Sequence, residues 1–195
     1  MIGNNTSGKV AVVTGGSRGI GLALAGELIV GGTDVVVSGR STDALVEAGD
    51  RLDRFSTRTG SGRYHTVQAD VRSTEDAERM LASAVDHFGG LDILINNAGI
   101  GYYGPTRDMT VEQWDQILAL NLHAPIRLIR SLLPLLEQQP SSHVANICSM
   151  FGLVTYRNQA AYQTTKFALV GLTQSLRIEY AGTGLGFSAI CPGFV

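Results

Sequence analysis

Tyr162 and Lys166 are the residues whose types and spacing first suggest chemistry. They lie four residues apart in a helical pattern, so their side chains share one helix face. A helical tyrosine–lysine pair occurs often by chance, so its context decides what it means. Ser149 ends the apolar run before this helix, at a position where parallel sheets bind ligands. The three side chains therefore form a candidate site for acid–base chemistry.

Two further polar features favour a functional site. Asn96-Asn97-Ala98-Gly99 ends another apolar run, which is again a ligand-facing position in a parallel sheet. Asn121 interrupts an apolar helical run, where an asparagine with only a structural role is an unfavourable choice.

A glycine-rich turn follows the first apolar run of the chain. Residues 10–14 lead directly into Gly15, Gly19 and Gly21, and a helical pattern continues from there. A phosphate site at a helix N-terminus needs backbone N–H groups and no β-carbon in the way. The spacing differs from the common G-x-G-x-x-G fingerprint, and a plain strand-to-helix turn uses glycines too. Because the turn opens the first strand–helix pair, we interpret it as a nucleotide-binding turn.

The end of the second predicted strand bears on which nucleotide is bound. NAD sites place Asp or Glu there to accept from the ribose 2′-OH, whereas NADP sites admit the 2′-phosphate beside an arginine. Here the strand leads into Ser38, Gly39 and Arg40, with no acid at that position. Arg18 of the glycine turn can join Arg40 in a charge-assisted clamp, although both also fit ordinary surface arginines. The sequence favours NADP(H) over NAD(H).

These residues need a fold that gathers the ends of several strands. Short β-branched runs alternate with helical patterns, and most runs are continuously apolar, as in parallel strands covered on both faces. The alternation predicts an α/β fold with a doubly wound parallel sheet in three layers, the Rossmann fold. The predicted strands are Val10–Thr14, Asp34–Ser38, Tyr64–Gln68, Asp92–Asn96, Val144–Ser149 and Phe187–Cys191. The predicted helices are Arg18–Val30, Asp43–Arg54, Thr74–His87, Thr110–Gln138 and Ala160–Ala181.

Length, charge and cysteine usage narrow the class of protein. The 195 residues carry 15 basic and 17 acidic side chains, a net charge of −2 that gives no reason to expect nucleic acid or a membrane as partner. No apolar leader is visible, and no uninterrupted apolar run reaches the roughly 18 residues of a spanning helix. Cys148, Cys191 and the 4 histidines lack metal-ligand spacing, so we expect two free thiols and no metal. We expect one cytoplasmic domain over residues 1–195.

Taken together, the motifs resemble the short-chain dehydrogenase/reductase family, in its shorter single-domain form. The resemblance implies an NAD(P)-dependent oxidoreductase that interconverts a carbonyl and an alcohol. The matching pieces occur in family order and near family spacing: Thr14-Gly-Gly-Ser-Arg-Gly-Ile-Gly21, Asp70-Val71, Asn96-Asn-Ala-Gly99, Asn121, Ser149, Tyr162-Gln-Thr-Thr-Lys166 and Pro192-Gly193.

The resemblance implies a role for each member of the catalytic set. Tyr162 is then the general acid in carbonyl reduction and the base in the reverse direction, helped by the nearby ammonium. Lys166 also holds the nicotinamide ribose, and Ser149 donates a hydrogen bond to the substrate oxygen. Asn121 distorts its helix and seats a water that relays protons past Lys166.

The resemblance also implies the cofactor contacts and the partners. Asp70 meets the adenine, Asn97 and Gly99 the ribose side, and Pro192-Gly193 the nicotinamide end. Full-length relatives suggest a homodimer or homotetramer formed through a face of helix 110–138. The full set of cofactor-binding residues is Gly15, Ser17, Arg18, Gly19, Ile20, Gly21, Arg40, Asp70, Val71, Asn97, Ala98, Gly99, Tyr162, Lys166, Pro192 and Gly193.

Residues after Ser149 and Gly99 are candidates to face the substrate. Their apolar and aromatic bias favours a hydrophobic carbonyl or alcohol, although aromatic loop residues also serve only packing. The candidates are Tyr102, Tyr103, Phe151, Leu153, Tyr156 and Gln159.

The sequence departs from the family pattern at Pro192-Gly193-Phe194-Val195, where it stops. Relatives usually continue through a phosphate-contacting threonine, a substrate-covering loop, a further helix and a seventh strand, so we expect a C-terminally incomplete enzyme. The alternative is a catalytically weak nucleotide-binding or dimerising relative that lacks the substrate lid. The intact set of Asn121, Ser149, Tyr162 and Lys166 favours the enzyme.

Overall fold

A computed structural model describes residues 6–58 and 60–193 of the chain. The chain divides into two compact units, Met1–Asn97 and Ala98–Val195. Phe194 and Val195, the last two residues of the sequence, lie outside the described residues.

The first unit is an alternating α/β structure with four parallel strands. Strand β1 lies between β2 and β4, and β2 also pairs with β3. The strand order therefore reverses at β1, which is the position where such sheets bind ligands. The elements are β1 (Val10–Val13), α1 (Gly19–Val30), β2 (Asp34–Gly39), α2 (Thr42–Ser56), β3 (Tyr64–Gln68), α3 (Thr74–Phe88) and β4 (Ile93–Asn96).

Helices cover both faces of this four-stranded sheet. Successive residues of a strand point to opposite faces, and β3 shows it: Tyr64 donates a hydrogen bond to the Gly49 carbonyl of α2, while the His65 ring stacks on His87 of α3. Every residue of β1 and β4 is buried, as expected for strands covered on two sides. The first unit is thus three-layered, as the sequence predicts.

The second unit contains two parallel strands and three main helices. Strand β5 (Ser142–Ile147) pairs with β6 (Leu185–Ile190) in the register Ser142↔Leu185 to Ile147↔Ile190. Three short turns complete it: 3₁₀ turns at Thr106–Asp108 and Met150–Gly152, and a π-helical turn at Ala119–His123. The helices are α4 (Val111–Leu118), α5 (Ala124–Leu136) and α6 (Ala160–Glu179).

Helix starts follow the signals in the sequence. Ser73 accepts a hydrogen bond from the Asp76 amide at the start of α3. Thr110 and Gln113 form a reciprocal capping box at the start of α4. Gly89 ends α3 in the left-handed conformation at φ 85°, as a C-terminal cap glycine does.

Most predicted elements agree with the observed ones within one or two residues at their ends, and three of them differ in informative ways. The helix predicted over Thr110–Gln138 is interrupted by the π turn, whose extra residue per turn no apolar periodicity reveals. The last two strands begin two residues earlier than predicted, because Ser142 and Leu185 already pair despite their weak strand signal.

None of the helices in the described residues is long and apolar enough to cross a membrane.

Candidate active site

The glycine turn of the first unit forms an open cradle at the start of α1. Gly15 and Gly19 have φ values of 62° and 57°, which favour glycine. A β-carbon on Gly19 would meet nothing within 4 Å, so the turn faces open space there. Helix α1 begins at Gly19, and the side chain of its N-cap residue, Arg18, makes no capping hydrogen bond. Uncapped amides at a helix N-terminus suit a phosphate group, so these residues fit a dinucleotide.

Asn97 holds the inner side of this cradle. Its Nδ2 donates hydrogen bonds to the carbonyls of Thr14 at 2.9 Å and Gly15 at 3.0 Å, and its amide nitrogen donates to Thr14 Oγ1 at 3.0 Å. A β-carbon on Gly21 would clash with Asn97 Nδ2 and with the Gly15 carbonyl. The Asn97 side chain therefore shapes the turn.

The end of β2 lies next to the glycine turn. The Gly16 amide donates to the Ser38 carbonyl at 2.9 Å. A β-carbon on Gly39 would lie 3.1 Å from Ser17 Oγ, so the Ser17 side chain occupies the space beside this residue. Arg18 and Arg40 are both exposed. Two arginines without a carboxylate at the strand end suit an anionic group.

Asp70 is held by its neighbour Arg72. The Arg72 side chain donates from Nη2 to Asp70 Oδ2 at 2.6 Å and from Nε to Oδ1 at 3.0 Å. The hydrogen bonds from Arg72, aided by the charges of Arg72 and Arg40, hold the pKa of the Asp70 carboxyl below its usual value. Val71 is buried. Asp70 is thus a carboxylate whose charge is balanced by arginine.

In the second unit, Asn121 sits inside the π-helical turn and is 1% exposed. The Ala124 amide donates to the Ala119 carbonyl five residues earlier, which defines the turn. The side-chain amide of Asn121 makes two hydrogen bonds to the main chain of Ile100. Its Nδ2 donates to the Ile100 carbonyl at 2.8 Å, and its Oδ1 accepts from the Ile100 amide at 2.9 Å. The distortion predicted around Asn121 is present.

Ser149 follows β5 and caps the 3₁₀ turn after it. Its Oγ accepts a hydrogen bond from the Phe151 amide at 3.1 Å, and the residue is buried. An accepting hydroxyl keeps its own proton for a different acceptor. The Ser149 hydroxyl is therefore fixed in place and still able to donate.

Lys166 carries a buried ammonium group on α6. Its Nζ donates to the Ile147 carbonyl at 2.7 Å and lies 5.6 Å from the centroid of the Tyr162 ring. Burial lowers the pKa of Lys166 below its usual value. Tyr162 is half-buried, and a β-carbon on Gly101 would lie 3.7 Å from its ring. Tyr162 and Lys166 thus share one face of α6, as their spacing predicts.

The remaining candidate residues lie around these groups or apart from them. The Met150 amide donates to the Pro192 carbonyl at 2.9 Å, so Pro192 adjoins the turn that Ser149 caps. Gly99 and Gly193 are exposed, whereas Ile20 and Ala98 are partly buried.

Both cysteines are free thiols. They lie side by side at the ends of β5 and β6, because the Cys148 amide donates to the Ile190 carbonyl at 2.7 Å. Burial raises the pKa of Cys148 to about 12.

Two residues matter for this geometry that their types alone did not reveal. A β-carbon on Gly152 would lie 2.8 Å from the Lys166 carbonyl, so this glycine lets the turn after Ser149 pack directly on α6. Thr165 is fully buried and receives a hydrogen bond from Asn121 Nδ2 at 3.2 Å. The polar type of Thr165 beside Lys166 was the one available signal for it.

The segment after Ser149 presents aromatic and apolar candidates for contact with the substrate. The Phe151 and Tyr156 rings stack with centroids 5.8 Å apart, and Leu153 and Tyr156 are exposed. Tyr103 is exposed as well, at 62%. Gln163 donates to the Tyr156 carbonyl at 2.9 Å and anchors the segment after Ser149 to α6.

Comparison with known proteins identifies the family of the chain. Residues 9–195 match the family model for short chain dehydrogenase. The chain is 36% identical over 188 residues to a D-beta-hydroxybutyrate dehydrogenase from Rhizobium meliloti, covering 96% of this chain and 71% of that protein. It is 34% identical over 190 residues to a 2-(R)-hydroxypropyl-CoM dehydrogenase from Xanthobacter autotrophicus, covering 96% and 74% of the two proteins.

A solved structure gives the same result for the fold. The crystal structure of a short chain dehydrogenase/reductase from Burkholderia phymatum in complex with NAD matches with a TM-score of 0.90 at 28% identity, over 97% of this chain and 67% of that one. The chain belongs to the short-chain dehydrogenase family. It is an oxidoreductase that uses a nicotinamide cofactor and acts on CH–OH groups.

Proposed function

We propose that the chain is an NADP(H)-dependent reductase of apolar carbonyl compounds, with Tyr162 as the proton donor and Asn121, Ser149 and Lys166 as its catalytic partners. The observation that carries the proposal is the buried Lys166 ammonium beside the Tyr162 ring. Burying a charged group is costly unless the group is hydrogen-bonded or paired with an opposite charge. The hydrogen bond to the Ile147 carbonyl occupies only one of the three N–H donors of Lys166, which leaves two for a ligand.

The proton in this reaction is carried by Tyr162. In reduction its phenol gives a proton to the substrate oxygen, and in oxidation its phenolate takes one back. The Lys166 ammonium favours the phenolate because opposite charges attract strongly at a buried site. The remaining donors of Lys166 would hold the ribose hydroxyls of the nucleotide.

Ser149 holds the substrate oxygen. Its Oγ already accepts from the Phe151 amide, so its hydroxyl proton is directed to another acceptor. A donor fixed before the reaction stabilises the charge that develops on that oxygen without having to reorient. The nicotinamide, when bound, supplies or receives the hydride at the neighbouring carbon.

The nucleotide contacts of the proposal begin at the glycine turn. The amides at Gly19, Ile20 and Gly21 would hold the phosphates at the start of α1. Ser17, Arg18 and the segment Asn97-Ala98-Gly99 would line the adenosine half, and Pro192-Gly193 the nicotinamide half. Asp70 and Val71 would meet the adenine.

The preference for NADP(H) rests on the charges at the end of β2. Arg18 and Arg40 are exposed, and the position that follows Ser38 is a buried glycine instead of an acid. An Asp or Glu there would repel a 2′-phosphate, whereas two arginines attract it. The balanced charge of Asp70 removes a further source of repulsion.

An apolar substrate is proposed from the exposed segment after Ser149. Leu153, Val154 and Tyr156 expose 57%, 51% and 54% of their surface, a concentration of apolar area that favours an apolar ligand. We also propose that the protein acts in the cytoplasm as a homo-oligomer, and that residues 1–195 work as one domain.

Absorbance of the nicotinamide tests this function directly. Purified protein is mixed with NADPH or NADH and a panel of apolar ketones, with short keto acids as polar comparators. We expect NADPH to be oxidised faster than NADH, and apolar ketones to be reduced faster than the short keto acids. Binding of NADPH without reduction of any carbonyl would instead support the nucleotide-binding alternative.

A further inference from the structure

The buried Thr165 hydroxyl links two parts of the second unit. It accepts a hydrogen bond from Asn121 Nδ2 at 3.2 Å and donates one to the Tyr162 carbonyl at 2.7 Å. Thr165 has no exposed surface, so water cannot replace either bond. The hydroxyl therefore joins the π-helical turn to the helix that carries the phenol.

The Asn121 amide uses both of its N–H donors. One goes to the Ile100 carbonyl at 2.8 Å and the other to Thr165, while Oδ1 accepts from the Ile100 amide at 2.9 Å. An amide group has two donors, so this set fixes which way the side chain faces. Loss of the Thr165 hydroxyl would leave a buried N–H group unsatisfied, which is costly.

The same chain of contacts returns to the phenol ring. The Asn121 side chain is hydrogen-bonded to both the amide and the carbonyl of Ile100. The next residue, Gly101, adjoins the phenol ring, because a β-carbon on Gly101 would lie 3.7 Å from Tyr162 Cδ2. Thr165 is thus connected to Tyr162 twice. One connection runs through the Tyr162 carbonyl, and the other runs through Asn121 and the 100–101 segment.

We propose that Thr165 is a positioning residue for the reaction, whose hydroxyl holds the Asn121 amide and thereby sets the place of the Tyr162 phenol. The proposal rests on the proposed function, in which Tyr162 carries the proton. Thr165 has no exposed surface, so its hydroxyl is not placed to touch substrate or nucleotide. Small displacements of a reacting group change rates strongly, so the effect falls on kcat.

The chain contains a matched control for this proposal on the same helix. Thr173, two turns after Thr165, is 1% exposed. Its Oγ1 accepts from Asn146 Nδ2 at 2.8 Å and donates to the Leu169 carbonyl at 2.6 Å. The chemistry and burial match those of Thr165, but the partner Asn146 lies on β5 instead of the π-helical turn that carries Asn121. A purely structural role predicts the same outcome at both threonines.

The experiment compares a graded series at Thr165 with one change at Thr173. Thr165→Ser keeps the hydroxyl, Thr165→Cys replaces it by a weaker hydrogen-bonding thiol, and Thr165→Val removes it at nearly constant shape. We expect kcat to fall about tenfold in Thr165→Val and less in Thr165→Cys, and to remain within about twofold of wild type in Thr165→Ser. Thr173→Val should lower the unfolding midpoint as Thr165→Val does but leave kcat within about twofold. KM and the dissociation constant for NADPH should stay unchanged throughout.

The outcomes separate this proposal from the proposed function. Equal kcat values in Thr165→Val and Thr173→Val, or no recovery in Thr165→Ser, would overturn the positioning role. If Thr165→Val does not fold, equal kcat values for the serine and cysteine variants would overturn it. A Tyr162→Phe variant with wild-type kcat would overturn the proposed function instead.

Discussion

The proposed functional residues of the two units differ in the kind of group through which they act. In residues 6–97 the glycine turn works through its backbone: Gly19 faces open space, and Gly21 leaves no room for a β-carbon. In residues 98–193 the proposed chemistry depends on four side chains that are buried or half-buried, and those of Asn121, Ser149 and Lys166 are held by hydrogen bonds. Added atoms should therefore impair the glycine turn of the first unit, whereas removed atoms should impair the four side chains of the second unit.

Removing one atom from the second unit should have the largest effect. Tyr162→Phe keeps the ring beside Lys166 but loses the proton that is transferred, so turnover should be abolished. Nucleotide affinity should remain within about twofold, because the glycine turn is untouched. Steady-state kinetics and fluorescence titration with NADPH measure the two quantities. Near-normal kcat in this variant would rule out Tyr162 as the proton donor.

A smaller loss is expected at Ser149. Ser149→Ala removes the hydroxyl that would donate to the substrate oxygen, and loss of such a donor lowers kcat by about 10²–10³-fold. It also removes the acceptor for the Phe151 amide, so the fold of the variant needs checking by circular dichroism. Ser149→Thr, which keeps the hydroxyl, is the matched control. A Ser149→Ala enzyme as active as the threonine variant would contradict the role.

The exposed arginines are the exception in the first unit, because they would act through side-chain charge. Arg40→Ala should raise the dissociation constant for NADPH about 10–100-fold and leave that for NADH nearly unchanged. Isothermal titration with both nucleotides measures the difference. Arg51→Ala, which removes an exposed arginine of α2, provides the control for a general loss of positive charge. Equal weakening of NADPH and NADH would remove the proposed preference.

Adding one methyl group to the glycine turn tests how closely its backbone is packed. In Gly21→Ala the new β-carbon would press on Asn97 Nδ2 and the Gly15 carbonyl, so the free energy of unfolding should fall by about 1–3 kcal/mol and nucleotide affinity should fall with it. Gly171→Ala in α6 is the control, since a β-carbon there meets nothing within 4 Å and should stabilise the helix by about 0.5–1 kcal/mol. Urea denaturation measures the free energy of unfolding of both variants. If Gly21→Ala raised the free energy of unfolding as Gly171→Ala is expected to do, Gly21 would not be closely packed.

The sequence predicted the regular parts of the fold well, because local signals determine them. The bounds of β3 agree residue for residue, and the caps at Ser73 and Thr110 form as their types suggest. The starts of β5 and β6 were misplaced because partner pairing, which is not local, decides where a strand begins.

The candidate site shows the same division between local and long-range information. The spacing of Tyr162 and Lys166 predicted a shared helix face, which α6 provides. The pairing of Arg72 with Asp70 and the close approach of Gly152 to α6 depend on rotamers and on contacts across the fold. No pattern along the chain records either of them. Thr165 was visible only as a polar residue in a helix.

The π-helical turn at Ala119–His123 has a consequence for how this region tolerates insertions and deletions. A π turn holds one more residue than an α turn, and each residue rotates a helix by about 100°. Deleting one residue there would restore an unbroken α-helix with better hydrogen bonds, while turning Asn121 away from Ile100. Selection for a more stable helix would therefore favour loss of the extra residue, whereas selection for the orientation of Asn121 would favour keeping it.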